Sequence, residues 1–162
     1  MKKMHENHLS KQGVTHMYFL IPFLVLLAAD QAVKHLIRTT MVQGQSIPVI
    51  ENIFHITYIE NPGAAFGILA NQRMLFLILT AVIVGVMIYL YFSLRNKKSL
   101  TAISLGIVVS GAIGNFIDRF VQGTVTDFLD FRIWPIFNIA DICICVGLAL
   151  ICYFVIFKGE DL

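Results

Sequence analysis

The chain has 162 residues, of which 57% are hydrophobic and only 14% charged, with a formal net charge of +2. A soluble domain is about half apolar and a quarter charged, so this excess of apolar residues predicts one domain, residues 1–162, in a lipid bilayer. The small net charge provides no basic stripe, which excludes nucleic acid as a partner. Cys143, Cys145 and Cys152 share one apolar run, which favours core or lipid-facing residues over disulfides or a zinc site.

Four apolar segments are each long enough to cross about 30 Å of hydrocarbon as a helix. They cover residues 17–37, 74–94, 100–117 and 139–157. The first segment follows Lys2 and Lys3 and has the outline of a cleaved signal peptide, but its apolar pattern continues beyond Asp30, which favours an uncleaved span. The sequence therefore predicts an all-α integral membrane protein with four transmembrane helices.

The basic residues predict how these helices are oriented, because cytoplasmic loops carry an excess of lysine and arginine. Lysines precede the first segment and follow the fourth, and a basic loop joins the second segment to the third. These residues are Lys2, Lys3, Lys11, Arg95, Lys97, Lys98 and Lys158. We therefore expect both termini in the cytoplasm, and residues 38–73 and 118–138 on the outer side.

The first outer segment is more than a linker. β-favouring residues run over about 44–61 and are interrupted by Pro48 and by a turn signal at Glu51-Asn52, which predicts a hairpin or a small extracytoplasmic β element. The following stretch, residues 61–67, is rich in small residues that allow close approach of the backbone.

Ionisable side chains in or beside membrane spans are functional candidates, because charge is costly to bury in lipid. The predicted topology places all of them, with two asparagines, near the outer surface. They are Asp30, Lys34, Asn115, Asp118, Arg119, Asp127, Asp130, Asn138 and Asp141.

Each candidate also has a purely structural interpretation. Asp30 and Lys34 have the spacing of an ion pair on one helix face, and Asp118 with Arg119 suits an interfacial pair. Asn138 is a good N-cap for the fourth helix, and a carboxylate in its first turn complements the helix dipole. Two further interpretations are structural: Asp130 as a solvated loop charge, and Gly106, Ser110 and Gly114 as a stripe for close helix packing.

Among catalytic chemistries, a pair of carboxylates is the most complete. Two carboxyl groups that share one proton supply a base for water and an acid for the scissile carbonyl. Lys34 and Ser46 leave a serine–lysine protease open, although no motif surrounds them. His35 and His55 are isolated and suit interfacial polar positions, and no zinc-ligand spacing or phosphate loop occurs, so we predict no metal and no cofactor.

Five short stretches together resemble the prolipoprotein signal peptidases, or signal peptidase II. They are Asp30-Gln31-Ala32-Val33-Lys34, Asn61-Pro62-Gly63-Ala64-Ala65-Phe66-Gly67, Gly114-Asn115-Phe116-Ile117-Asp118-Arg119, Val125-Thr126-Asp127-Phe128 and Phe137-Asn138-Ile139-Ala140-Asp141. The resemblance implies a catalytic dyad of Asp127 and Asp141. It also implies a substrate site with Asn61, Asn115, Arg119 and Asn138, supported by Asp30, Lys34, Gly63, Gly114 and Asp118.

The resemblance implies an aspartic endopeptidase of the bacterial cytoplasmic membrane with its active site at the outer surface. Its substrates would be prolipoproteins, cut just before the cysteine that carries diacylglyceryl, and membrane lipids would be its other partners. The loop between Asp127 and Asp141 is shorter than in many relatives, and Thr126 and Ile142-Cys143 also depart from the commonest pattern. A small transporter or channel is the rival function, although the second span is free of charges; a structural scaffold is a third.

Overall fold

The computed structural model of the chain describes residues 2–63, 69, 71–93 and 99–158, with side chains for all of these except residues 2–15, Ser99 and Lys158. In chain order the elements are α1 (Lys2–Thr40), β1 (Ser46–Ile50), β2 (Phe54–Asn61), α2 (Arg73–Ser93), α3 (Ser99–Val121), β3 (Val125–Asp130) and α4 (Ile139–Lys158). Ala64–Gly67 of the small-residue stretch and the basic residues Arg95–Lys98 lie outside the described residues.

The prediction of four membrane-spanning helices is confirmed. Helical segments long and apolar enough to span a bilayer are His16–Thr40, Arg73–Ser93, Leu100–Val121 and Ile139–Phe157. The third helix continues past its predicted end at residue 117 because Asp118, the first charge that the sequence presents there, is buried and paired with Lys34 at 3.0 Å. A charge satisfied inside the bundle does not end a helix.

Helix α3 is the most buried of the four and packs against α1, α2 and α4. Small residues make this possible. A Cβ at Gly106 would collide with the backbone carbonyl of Phe19 in α1, and one at Gly114 would collide with the Asp30 carboxylate. The predicted packing stripe is therefore confirmed, and it extends to Gly111, where a Cβ would meet the carbonyl oxygen of Ala140 in α4.

The strands form one antiparallel sheet in the order β1-β2-β3. The predicted hairpin is confirmed: β1 pairs with β2 across a turn in which Asn52 has a φ of 61°. The third strand was not expected, because residues 118–138 read as a loop, and β3 pairs with β2 over registers that include Ile59↔Asp127 and His55↔Asp130.

The interpretation of Asp130 as a solvated loop charge is wrong. Its side chain is buried on β3, accepts a hydrogen bond from Thr57 Oγ1 at 2.7 Å and pairs with Arg132 at 2.9 Å. These polar partners satisfy the carboxylate inside the sheet, so its charge gives no indication of exposure.

A small apolar cluster joins the sheet to the helices. Ile37 in the last turn of α1 and Met41 just after it pack with Tyr58 of β2 and Phe128 of β3. Because Phe128 is anchored there, its neighbour Asp127 points to the other face of the strand. The sheet thereby holds a buried carboxylate against the end of the helix bundle.

Candidate active site

The two candidate catalytic carboxylates come from different kinds of element. Asp127 lies in the middle of β3 and is only 2% exposed, whereas Asp141 lies in the first turn of α4 and is partly buried. The chain between them is short, and Phe137 hydrogen-bonds back to Leu129, which returns the backbone from β3 to the start of α4. The fold therefore brings both residues to one end of the bundle.

Two asparagine amides connect these carboxylates. Asn138 Nδ2 donates to Asp127 Oδ1 at 2.6 Å and to Asn115 Oδ1 at 3.1 Å. Asn115 Nδ2 in turn donates to Asp141 Oδ1 at 2.8 Å. The sequence prediction that Asn115 and Asn138 belong to one site with the two aspartates is consistent with this geometry.

Asn61 completes the hydrogen bonding of Asp127. Its Nδ2 donates to Asp127 Oδ2 at 2.9 Å, and its Oδ1 accepts from the backbone N–H of Gly63 at 3.0 Å. Each oxygen of Asp127 therefore accepts one amide donor, which fixes the plane of the carboxyl group.

The capping interpretation of Asn138 and Asp141 agrees with the structure. The Asp141 N–H donates to Asn138 Oδ1 at 3.0 Å, and the Asn138 N–H donates to Asp141 Oδ2 at 3.1 Å, which is a reciprocal capping box. This cap does not compete with a role in the site. It leaves Asp141 Oδ1 to the amide of Asn115, so the cap orients the carboxylate.

A buried cation supports the pair from inside the bundle. Lys34 Nζ lies 2.9 Å from Asp30 Oδ2, 3.0 Å from Asp118 Oδ2 and 2.9 Å from Asn115 Oδ1. The expected Asp30–Lys34 ion pair is therefore present, and it extends to the site. Because Lys34 and Asn138 both donate to Asn115 Oδ1, the Asn115 amide must turn its Nδ2 toward Asp141.

The two acidic partners of Lys34 hold the elements that carry the candidate dyad. Asp30 Oδ1 accepts the backbone N–H of Ala140, in the first turn of α4, at 3.0 Å. Asp118 Oδ2 accepts the backbone N–H of Thr126, in β3, at 3.3 Å. Asp30 reaches α4 only because Gly114 has no side chain in its path. Asp30 and Asp118 thus hold the backbone of the residue that precedes each candidate catalytic aspartate.

Arg119 points away from Asp118, so the expectation of an interfacial pair between these neighbours is wrong. Consecutive residues of a helix do not face each other, and Asp118 is occupied by Lys34. Arg119 instead donates to the carbonyl of Gly63 at 2.9 Å, with its guanidinium 4.6 Å from the centre of the Phe76 ring of α2. It therefore joins α2, α3 and the segment that follows Asn61.

Burial dominates the electrostatics at Asp127. Loss of solvent, followed by the negative charge of Asp141, raises the pKa of Asp127 to about 7, although the amides of Asn61 and Asn138 oppose the shift. A carboxyl group with this pKa exchanges a proton near neutral pH. Asp127 can therefore take up or release a proton near neutral pH, as acid–base chemistry requires.

Other sequence expectations are resolved by the same contacts. Ser46 hydrogen-bonds His55 and Thr57 on the sheet, whereas Lys34 is enclosed by Asp30, Asp118 and Asn115, so the serine–lysine alternative is wrong.

One contributing residue was missed: Gln31 Nε2 donates to Asp30 Oδ2 at 3.1 Å and to the carbonyl of Gly114 at 3.2 Å. Gln31 stands beside Asp30 in the first of the five stretches that resemble the family, and that position could have identified it from the sequence.

The family model described as Signal peptidase (SPase) II matches residues 22–157. A lipoprotein signal peptidase of Pelotomaculum thermopropionicum is 46% identical over 137 residues, covering 85% of this chain and 90% of the relative. The lipoprotein signal peptidase of Bacillus subtilis is 46% identical over 140 residues, covering 83% and 90%.

Two solved structures of bacterial membrane enzymes are similar to this chain in fold. A bacterial membrane enzyme solved by the in meso method at 2.3 Å resolution superposes with a TM-score of 0.81 at 34% identity, covering 88% of this chain and 89% of that one. A second, at 1.9 Å resolution, gives a TM-score of 0.79 at 34% identity, covering 86% and 92%. Together with the four apolar helices, these matches make the protein a multi-pass bacterial membrane peptidase. The chain belongs to the signal peptidase II family.

Proposed function

We propose that this peptidase removes the signal peptide from diacylglyceryl-modified prolipoproteins by an aspartic mechanism, cutting just before the lipid-modified cysteine. The family and its lipoprotein signal peptidase relatives support the reaction. One observation supports the mechanism: Asp127 and Asp141 are joined through the amides of Asn115 and Asn138.

In the proposed mechanism the ionised carboxylate takes a proton from a water molecule, which attacks the scissile carbonyl carbon. The protonated carboxyl group donates to the carbonyl oxygen, and the tetrahedral intermediate then collapses with a proton passing to the departing amine nitrogen. The raised pKa of Asp127, about 7, supports a shared proton at the pH of the cell surface. No covalent intermediate is required.

Four residues are proposed to hold the substrate main chain: Asn61, Asn115, Arg119 and Asn138. The asparagines fix the carboxyl groups and present amide edges beside them. Arg119 stacks over Phe76, which holds its planar fork at one orientation, as recognition of a peptide carbonyl requires. Asp30, Lys34, Gly63, Gly114 and Asp118 are proposed to position these residues without contacting the substrate.

The active site is proposed to face the outer side of the membrane, with both termini in the cytoplasm. The distribution of lysine and arginine along the chain supports this orientation. It would place the two carboxyl groups near the level at which a diacylglyceryl-modified cysteine is held by its own lipid. Membrane lipids are therefore proposed as the second partner of this region.

The transport alternative is not favoured. Among the residues whose side chains the structure describes, the buried acidic and basic side chains gather at the end of the bundle that carries the sheet; they are Asp30, Lys34, Asp118, Asp127 and Asp130. A relay across the bilayer needs such groups along its depth. A cluster at one end suits chemistry at one surface.

The test is cleavage of a diacylglyceryl-modified prolipoprotein by purified Asp127→Asn and Asp141→Asn proteins in lipid nanodiscs. Each substitution keeps the shape of the side chain and removes a proton carrier, so we expect each to abolish cleavage. The matched control is Asp130→Asn, which alters a buried carboxylate on the same strand that bonds to Thr57 and Arg132. Asp130→Asn should retain cleavage.

Circular dichroism and thermal unfolding must show that the inactive variants are folded. If Asp141 served only as a helix cap, Asp141→Asn would cost about 0.3–1 kcal/mol of stability and leave cleavage nearly intact. Substantial cleavage by either folded variant would rule out the aspartic mechanism.

A further inference from the structure

One end of the sheet carries a group of exposed apolar side chains. The β1–β2 turn lies between Ile50 and Phe54, and His55 of β2 pairs with Asp130 at the end of β3, so the residues after Asp130 leave the sheet beside that turn. We call this group the apolar end of the sheet: Ile50, Ile53, Phe131, Ile133 and Trp134. Ile133 is 93% exposed and Trp134 is 63% exposed.

Aromatic contacts make this end a single surface. The rings of Phe54 and Phe131 lie 4.8 Å apart, which joins the hairpin turn to the segment after β3. The ring of Phe131 stacks in turn on Phe137, with centroids 5.9 Å apart. The apolar end is therefore fixed to the hairpin through Phe54 and to β3 through Phe137, which bonds to Leu129 through the backbone.

The backbone holds Ile133 outward. Arg132 has a φ of 65°, a conformation uncommon for residues other than glycine, and its backbone N–H and its guanidinium donate to Asp130 at 2.8 and 2.9 Å. The N–H of Ile133 bonds to the carbonyl of Phe131 at 2.8 Å. Three hydrogen bonds and an unfavourable φ thus present a large apolar side chain to the surroundings.

The surroundings of this end are set by the adjacent membrane span. Trp134 precedes the first residue of the α4 span, Ile139, by five residues, a reach of at most about 18 Å. Exposed apolar residues also run from Val42, just after α1, along β1 through Ile47 and Val49 to this end. Tryptophan favours the boundary between lipid and water.

We propose that the apolar end of the sheet inserts into the leaflet that borders the sheet, with Trp134 at the level of the lipid head groups. The inserting residues begin directly after Asp130, the last residue of β3. Their insertion therefore fixes how far β3 lies from the bilayer. The proposal rests on the membrane location of the chain and is independent of the catalytic role of the aspartates.

The chain provides its own probe, because Trp134 is its single tryptophan. The protein is reconstituted in phosphatidylcholine–phosphatidylglycerol vesicles without substrate, with lipids brominated either near the head-group end or near the methyl end of the acyl chain. We expect blue-shifted emission, weak quenching by aqueous iodide, and at least about twofold stronger quenching by the shallow bromines than by the deep ones.

A depth reference comes from the same protein. Val82 lies near the middle of α2 and is exposed to lipid, so Val82→Trp in a Trp134→Phe background reports the bilayer centre. That reference should be quenched more by the deep bromines. Replacing two other apolar residues, Ile53→Asn with Ile133→Asn, should weaken the shallow quenching of Trp134 by about twofold or more while circular dichroism stays unchanged.

Three outcomes would overturn the proposal. Emission at the wavelength of free tryptophan, with strong iodide quenching and no effect of bromolipid, would place Trp134 in water. Protection from iodide without bromolipid quenching would assign the surface to a protein contact, such as a second copy of the chain. Bromolipid quenching that appears only after lipidated substrate is added would assign it to the substrate.

Discussion

At the scale of single residues, the ionised form of Asp127 destabilises the folded protein, because its carboxylate is buried beside Asp141. Burial and the charge of Asp141 raise its pKa from an ordinary value of 3.8 to about 7. The folded state therefore binds this proton more tightly than the unfolded state does. Its contribution to the free energy of unfolding is fully present below about pH 4 and is lost as the pH rises through about 7.

We expect this loss to disappear in Asp127→Asn, whose side chain does not titrate. The thermal midpoint of the unmodified protein should fall between about pH 6 and pH 8 more than that of Asp127→Asn, and the variant should be the more stable protein at the higher pH. The measurement is thermal unfolding in one detergent at both pH values. Parallel pH slopes in the two proteins would contradict the shift at Asp127.

Arg119 makes a second test at this scale. Its guanidinium bonds the carbonyl of Gly63 and stacks on Phe76, and a lysine ammonium at this position cannot do both. We expect Arg119→Lys to reduce the rate of prolipoprotein cleavage by about tenfold or more.

The control for Arg119 is Arg73→Lys, because Arg73 also bonds a backbone carbonyl, that of Phe120, at 2.6 Å. Within the part of the chain that the structure describes, the contacts of Arg73 do not include the network around the aspartates, and its replacement should leave the rate within about twofold. Equal rates for both variants and the unmodified protein would reduce Arg119 to an anchor between helices.

At the scale of elements, the contact between α3 and α4 decides where Asp141 lies. A Cβ at Gly111 would collide with the backbone carbonyl of Ala140, the residue before Asp141, so Gly111→Ala must push the first turn of α4 away. We expect a loss of about 1–3 kcal/mol of stability together with reduced cleavage. Unfolding by sodium dodecyl sulfate and the cleavage assay measure the two effects.

Gly85 in α2 is the matched control, since a Cβ there meets nothing within 4 Å. Gly85→Ala should be neutral or stabilising by about 1 kcal/mol at most, because alanine is the better helix former. If Gly111→Ala is equally neutral, close packing between α3 and α4 does not govern the site.

Prediction from the sequence succeeded for the elements whose signal is local. The helices follow from uninterrupted apolar runs, and the hairpin follows from β-favouring residues around Glu51-Asn52. Strand β3 lacks such a signal, because Thr126, Asp127 and Asp130 suggest a loop until their partners on α3 and β2 are known. A buried polar strand is defined by contacts distant in sequence.

The sequence could predict which residues lie together in the candidate site, but it could not predict how their side chains are oriented. Topology and five motifs gathered Asp127, Asp141 and the asparagines at one surface. The orientation of the Asn115 amide was not predictable, because it depends on Lys34 and Asn138 donating together to one oxygen. Such an orientation requires coordinates from three helices and the segment before α4.

At the scale of the whole molecule, Lys34 is the point at which the elements meet. Through Asp30 and Asp118 it connects α1 and α3 to the backbones of α4 and β3. We expect Lys34→Met to leave buried Asp30 without its cationic partner and Asp118 with Arg38 at 3.6 Å, and to cost about 3–5 kcal/mol of stability. Thermal unfolding measures the loss.

Two further variants test whether the loss comes from charge. Adding Asp30→Asn to Lys34→Met removes one uncompensated carboxylate and should restore part of the stability. Arg132→Met, which breaks a half-exposed pair with Asp130, should cost about 1 kcal/mol or less. If the double variant is no more stable than Lys34→Met, lost packing rather than charge explains the effect.

The pairing of β2 with β3 also bears on when the two carboxyl groups are first brought together during synthesis. Asn61 meets Asp127 across 66 positions of sequence, and Asp141 arrives only with the fourth helix. A nascent chain leaving the ribosome therefore carries no assembled carboxyl pair while its earlier helices enter the membrane. If Asp127 and Asp141 are the catalytic pair, as proposed, the peptidase gains its activity only after its fourth helix has entered the membrane.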